Sequence, residues 1–192
     1  MGRKSRDAYD DVLGRSEVEN SMADTFAAEF PVVTGRKVKI LSAGESPDRI
    51  ALIDGTETGV ELTAIKAGSA EQVISEILRL AQQKHDTYAR RRIFDARPII
   101  LLGHLDWPAK DVVGPALYDM GGELQAMAVP SDFAGSGFAE IWLMDEGPKY
   151  TSRRDPRAPA DFFCFAPSQS VGFWECERKR RPYGGLLREF LE

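Results

Sequence analysis

Two short segments carry the residues with the clearest chemical potential. Ser46-Pro47-Asp48 sets an acid just before a β-rich run over 49–53, and Gly59-Val60-Glu61-Leu62-Thr63 sets one inside an otherwise apolar run over 59–65. Asp54-Gly55 between the runs is a hairpin signal, because Asp and Gly tolerate the positive φ angles of a tight turn. With the turn centred on 54–58, Asp48 and Glu61 fall within a residue or two of facing each other across an antiparallel ladder. Two such carboxylates repel unless a cation lies between them, and oxygen donors of this kind suit Mg²⁺ or Mn²⁺. The plainer alternative is that Asp48 caps a turn after Pro47 and Glu61 sits on a solvated strand face.

Placed after an α-β start and before a long helix, these segments resemble the PD-(D/E)xK phosphodiesterase superfamily, the restriction-endonuclease-like fold of nucleases and Holliday-junction resolvases. The resemblance covers residues 5–105 at most. It implies that Asp48 and Glu61 hold the metal, their twelve intervening residues lying within the loose spacing of the family. The lysine of the motif is replaced by Thr63, as in the branch of the superfamily that reads G-(I/V)-E-(V/L)-T. In such folds a lysine from the following helix can substitute. Ile77, Ala81, Lys84 and Tyr88 share one side of that helix, so Lys84 leans toward the packed face, either to the site or snorkelling past the core. Lys66 ranks lower, since strand parity sets it on the face opposite Glu61. The family also draws an acid from the first helix. Glu19 is the inward-leaning choice because it shares a face with Met22, Ala23, Phe26 and Phe30, whereas Glu17 sits with Asn20, Ser21 and Asp24. Asp48, Glu61, Lys84 and Glu19 form the expected catalytic set, with the three acids as metal ligands. If Asp48 and Glu61 simply repel when no cation is bound, Glu61→Gln should leave stability in a chelator level or slightly higher.

The positioning elements follow from periodicity. Residues 5–30 carry a helical stripe, with Gly14 as a candidate break and Pro31 as the expected stop. Strands are expected over 37–42, 49–53 and 59–65. Ser69 with Gln72 reads as a capping box opening a helix that runs to about Arg92, and Glu71, Gln72 and Glu76 in its first turns are secondary candidates near the sheet end. The apolar run 98–105 is expected to be a central strand covered on both faces, ending at His104, which with His85 completes the histidines. Partial helix over 108–127, broken at Gly114, Pro115 and Gly121-Gly122, precedes strands over 139–144 and 161–166, with a Pro- and charge-rich loop between them. The fold class expected is α/β, a restriction-endonuclease-like mixed β-sheet flanked by helices. Residues 1–105 would form the αβββαβ nuclease-like core and 106–192 a C-terminal extension of the same domain.

Composition narrows the function classes. At 192 residues, 43% hydrophobic and 29% charged, the chain is that of a globular domain, neither disordered nor a disulfide scaffold. No apolar stretch is long enough for a membrane span, and the basic then acidic start lacks a signal-peptide core, so a cytoplasmic protein without membrane partners is expected. Cys164 and Cys176 lack CxxC spacing and are expected to be reduced. GxGxxG, P-loop and GxSxG patterns are absent, which argues against dinucleotide, NTP and nucleophile-elbow chemistry. The net charge of −5 runs against a whole-surface polyanion binder, yet more than half of the 25 basic residues lie in four clusters around positions 3–6, 90–92, 153–157 and 178–181. Arg90, Arg91, Arg92, Arg153, Arg154 and Arg157 are the expected phosphate contacts to DNA or RNA. The expectation is thus a Mg²⁺- or Mn²⁺-dependent nuclease, with a catalytically silent binding module of the same fold as the alternative. A homodimer is the assembly expected if the chain has a protein partner.

Overall fold

The first long helix ends where backbone chemistry, and not proline, requires it. The computed structural model describes residues 7–106, 117–145, 160–167 and 170–174. Helix α1 (Asp7–Thr34) passes Gly14 without a break and continues one turn beyond the expected stop at Pro31. Proline disturbs the turn before it but leaves the following residues free to stay helical. The stop is Gly35, whose φ of +75° is the left-handed conformation of a C-terminal cap. Its amide donates to the Pro31 carbonyl at 2.9 Å, while the Thr34 hydroxyl donates to the Phe30 carbonyl at 2.7 Å.

Strands β1 (Val38–Ala43), β2 (Arg49–Ile53) and β3 (Thr56–Lys66) form an antiparallel meander. Asp54 and Gly55, at φ 50° and 87°, close a two-residue turn, tighter than the 54–58 expected. Helix α2 (Ala70–Arg90) starts at the Ser69 cap, whose hydroxyl accepts from the Gln72 amide at 3.3 Å. The Gln72 side chain reaches back to the Gly68 amide at 2.8 Å. Strand β4 (Ile99–Asp106) pairs in parallel with β3 and with β5 (Glu140–Asp145), which makes it central, as its apolar run implied. Between them, α3 (Leu117–Met127) runs straight through Gly121-Gly122, and α4 (Pro130–Phe133) adds one short turn. Strand β6 (Asp161–Ala166) pairs antiparallel with β5, and β7 (Gly172–Trp174), a strand the periodicity did not reveal, brings the mixed sheet to seven strands among the described residues, in chain order.

Right-handed crossovers between successive parallel strands put their helices on one face. Accordingly α2, α3 and α4 pack together against Ile65, Ile99, Leu101, Ile141 and Phe163. The other face is covered by α1, whose Met22, Ala23, Phe26 and Phe30 meet Ala51, Val60, Leu62, Ile100, Trp142 and Phe162. Arg36 fastens α1 to the sheet. Its guanidinium donates to both oxygens of Glu140 at 2.8 and 2.7 Å and to Asp54 Oδ2 at 3.1 Å, lying 5.6 Å from the Phe30 ring centroid. The protein is therefore an α/β structure with a mixed sheet flanked by helices.

Candidate functional site

The hairpin register decides the site. Arg49 pairs with Val60 at the last rung of the β2–β3 ladder, so the next positions outward are Asp48 and Glu61, directly opposed. Here the β2 backbone leaves β3, and a side chain takes over: Asp48 Oδ2 accepts from the Leu62 amide at 2.8 Å. Glu61 is 1% exposed, between Val60 and Leu62, which point to the α1 face. Strand alternation turns its carboxylate the other way, toward α2. An ionised carboxylate at that depth requires partners.

Helix α2 supplies two. Lys84 Nζ donates to Glu61 Oε1 and the Tyr88 hydroxyl donates to Glu61 Oε2. Four residues apart, these side chains lie one above the other on the face that also buries Val73, Ile77 and Ala81. The Tyr88 ring is anchored 5.5 Å from Phe94 and 6.1 Å from Phe138, centroid to centroid. Burial, then the hydrogen bond and charge of Glu61 and the charge of Asp48, hold the phenol above its ordinary range against an opposing contact from Ser46, so Tyr88 is a neutral donor. The Asp48 carboxyl is pushed up to about 6, first by burial and then by the Glu61 charge; the Leu62 amide and Lys84 oppose this, and Glu19 adds to it. Glu61, Lys84 and Glu19 thus each act electrostatically on Asp48, at the point where β2 and β3 part. The sequence pattern named Tyr88 only as a stripe residue. Its i,i+4 spacing from Lys84 was the available signal.

Other candidates serve elsewhere. Lys66 is exposed at the end of β3, and Thr63 is half-buried two residues beyond Glu61. The side chains of Gln72 and Glu76 are committed to the Gly68 amide and to Arg79, and Glu71 is exposed in the first turn of α2. His85 stacks 5.8 Å from Phe94 and bonds the Ser136 carbonyl at 2.8 Å, which makes Nδ1 the protonated nitrogen. His104 follows Ile100 and Leu102 on the α1 side of β4 by alternation. Arg90, Arg91 and Arg92 are exposed at the exit of α2, Arg92 at φ 55°, a few residues beyond Tyr88. Arg153, Arg154 and Arg157 lie outside the described residues, as do the other basic clusters, Cys176 and the final decapeptide. Cys164 is a free, buried thiol, pushed up to about 12 mainly by burial.

As a donor set, Asp48 and Glu61 present opposed hard oxygens of the kind that Mg²⁺ and Mn²⁺ prefer. Among the described residues Asp48 Oδ1 accepts no hydrogen bond, which leaves it open to a cation, whereas both Glu61 oxygens are engaged by α2. Among the described residues no group of three His, Cys, Asp or Glu side chains is gathered to hold a metal ion. The two-carboxylate donor set therefore fits a divalent cation provided that Lys84 yields its oxygen. No helix among the described residues is long and apolar enough to cross a membrane. Comparison with protein-family models, with curated proteins and with solved structures finds no match to this chain.

Proposed function

We propose that the chain is a restriction-endonuclease-like phosphodiesterase that hydrolyses nucleic acid, DNA or RNA, with Mg²⁺ or Mn²⁺. The observation that carries this reading is the meeting of Asp48, Glu61 and Lys84, drawn from three elements, where β2 leaves β3. The element order supports it as well: a helix, an antiparallel three-strand meander, a crossover helix and a strand parallel to β3. Asp48 and Glu61 would hold the cation, with Glu19 completing the shell. When bound, the cation supplies Lewis-acid polarisation of a phosphate oxygen and a lowered pKa for its water. Lys84 would orient the attacking water or stabilise the negative charge that builds on the phosphoryl oxygens as the P–O bond breaks. Arg90 to Arg92, with Arg153, Arg154 and Arg157, would grip flanking phosphates without reading sequence.

Incubating supercoiled plasmid and labelled single-stranded RNA with the protein in Mg²⁺, Mn²⁺ or chelator tests this, with Glu61→Gln as control. Metal-dependent cleavage lost in Glu61→Gln is the expected result; cleavage in neither metal, or equal cleavage by the variant, refutes the catalytic reading. One observation favours a second reading. Both Glu61 oxygens are already engaged and Thr63 stands at the motif lysine, an arrangement that suits a silent member of the fold acting as a binding module. That reading expects nucleic-acid or protein binding with no cation-dependent change in stability.

A further inference from the structure

The carboxylate of Glu61 is held from one helix by two donors of different kinds. Tyr88 is 1% exposed, and its ring is held against Phe94 and Phe138, which keeps its hydroxyl at Oε2. Lys84 is different. Its side chain is 27% exposed on four rotatable bonds, and the ammonium is a compact charge that exchanges readily with solvent. Asp48 Oδ2 is likewise fixed by the Leu62 amide, while Oδ1 accepts from no donor among the described residues. The acid pair therefore has one oxygen on each carboxylate pinned and one on each available, Oδ1 of Asp48 directly and Oε1 of Glu61 once Lys84 moves.

We propose that Tyr88 is a positioning residue that pins Glu61 through Oε2, and that Lys84 is a resident cation on Oε1, displaced when a divalent cation binds there and at Asp48 Oδ1. This rests on the cation site of the reading above and adds the exchange that loads it. One ammonium (+1) leaves the carboxylate pair and one divalent cation (+2) enters, so the cation neutralises both carboxylates where Lys84 neutralised one, and Lys84 becomes free to face an anionic substrate. Tyr88 does not touch the cation or the reacting atoms. It fixes the direction of the carboxylate, as hydrogen-bond partners of metal ligands generally do.

Mn²⁺ alone is the probe, its free concentration followed by electron paramagnetic resonance for wild type, Tyr88→Phe and Lys84→Met, with thermal melts in chelator to verify folding. Lys84→Met removes the competing charge and should tighten Mn²⁺ binding about tenfold. Tyr88→Phe keeps the ring and its packing but frees Oε2, and should weaken binding by about 10- to 100-fold with little change in melting temperature. A packing role alone for Tyr88 leaves the Mn²⁺ affinity of the Phe variant unchanged and overturns the positioning role. Equal or weaker binding by Lys84→Met overturns the exchange, and because that side chain is partly exposed this arm stands even if Tyr88→Phe does not fold. No Mn²⁺ binding by either wild type or Lys84→Met overturns the cation site itself, a failure distinguishable from the other two.

Discussion

Replacing Asp48 with Asn probes the electrostatic state of the site without any knowledge of substrate. The Asp48 carboxyl rises from an ordinary 3.8 to about 6 in the folded chain, because burial and the Glu61 charge outweigh the Leu62 amide and Lys84. Between pH 4 and 6 the folded state then binds more protons than the unfolded state, so stability falls as pH rises through this window and levels off above it. At about 1.36 kcal/mol per pH unit the penalty is about 3 kcal/mol, and solvent screening of a partly exposed group reduces it to about 1–2 kcal/mol. Asn retains an oxygen for the Leu62 amide and removes the charge. In chelator, urea unfolding of both proteins from pH 4 to 8 should give similar stabilities at pH 4 and an Asn variant more stable by about 1–2 kcal/mol at pH 7 and above. Their difference cancels the titration of groups they share. In excess Mg²⁺ the order should reverse, since only wild type gains the linkage contribution, about 2.7 kcal/mol at a hundredfold excess over Kd. A variant less stable than wild type at pH 7 in chelator, or a difference that does not change between pH 4 and 6, refutes the electrostatic argument.

Glu61→Gln should lose about 1–3 kcal/mol in chelator, because it leaves the Lys84 ammonium without its carboxylate; thermal melts in chelator check this. That reverses the level or slightly higher stability expected from repulsion alone, since in the structure Glu61 already has a cation beside it. Gly59→Ala would bring a Cβ within 2.5 Å of both Ile99 Cδ1 and the Pro47 ring, and should cost about 1–3 kcal/mol in denaturant unfolding while displacing the loop that carries Asp48. Replacing Arg90, Arg91 and Arg92 by Ala, or Arg153, Arg154 and Arg157 by Ala, should flatten the log–log salt dependence of nucleic-acid binding by up to about 2 to 3, at about 0.9 per phosphate contact. An unchanged slope in fluorescence anisotropy titrations would return those arginines to solvated surface.

What the sequence alone determined lay in local patterning. Alternation and the Asp54-Gly55 signal were enough for the β2–β3 hairpin, the 3.6-residue stripe for α2 and its Lys84-bearing face, and a nearly continuous apolar run for the centrality of β4, because each is a property of a few neighbouring residues. Where local rules competed, the sequence misled. Pro31, Gly14 and Gly121-Gly122 read as breaks, yet α1 runs through Gly14, and the packing of Phe26 and Phe30 on one side and of Leu117, Met120 and Leu124 on the other outweighs the helix penalties of Pro31 and of Gly121-Gly122. Strand β7 is three residues long and exists through its pairing with β6, a partner that no short window reveals. At the site, spacing brought Asp48 within a residue or two of Glu61, but the tight turn alone set the register that opposes them. The two donors on Glu61 were decided by tertiary structure, because only the depth of β3 beneath α2 determines which side chains of the helix stripe reach a buried carboxylate and which merely pack.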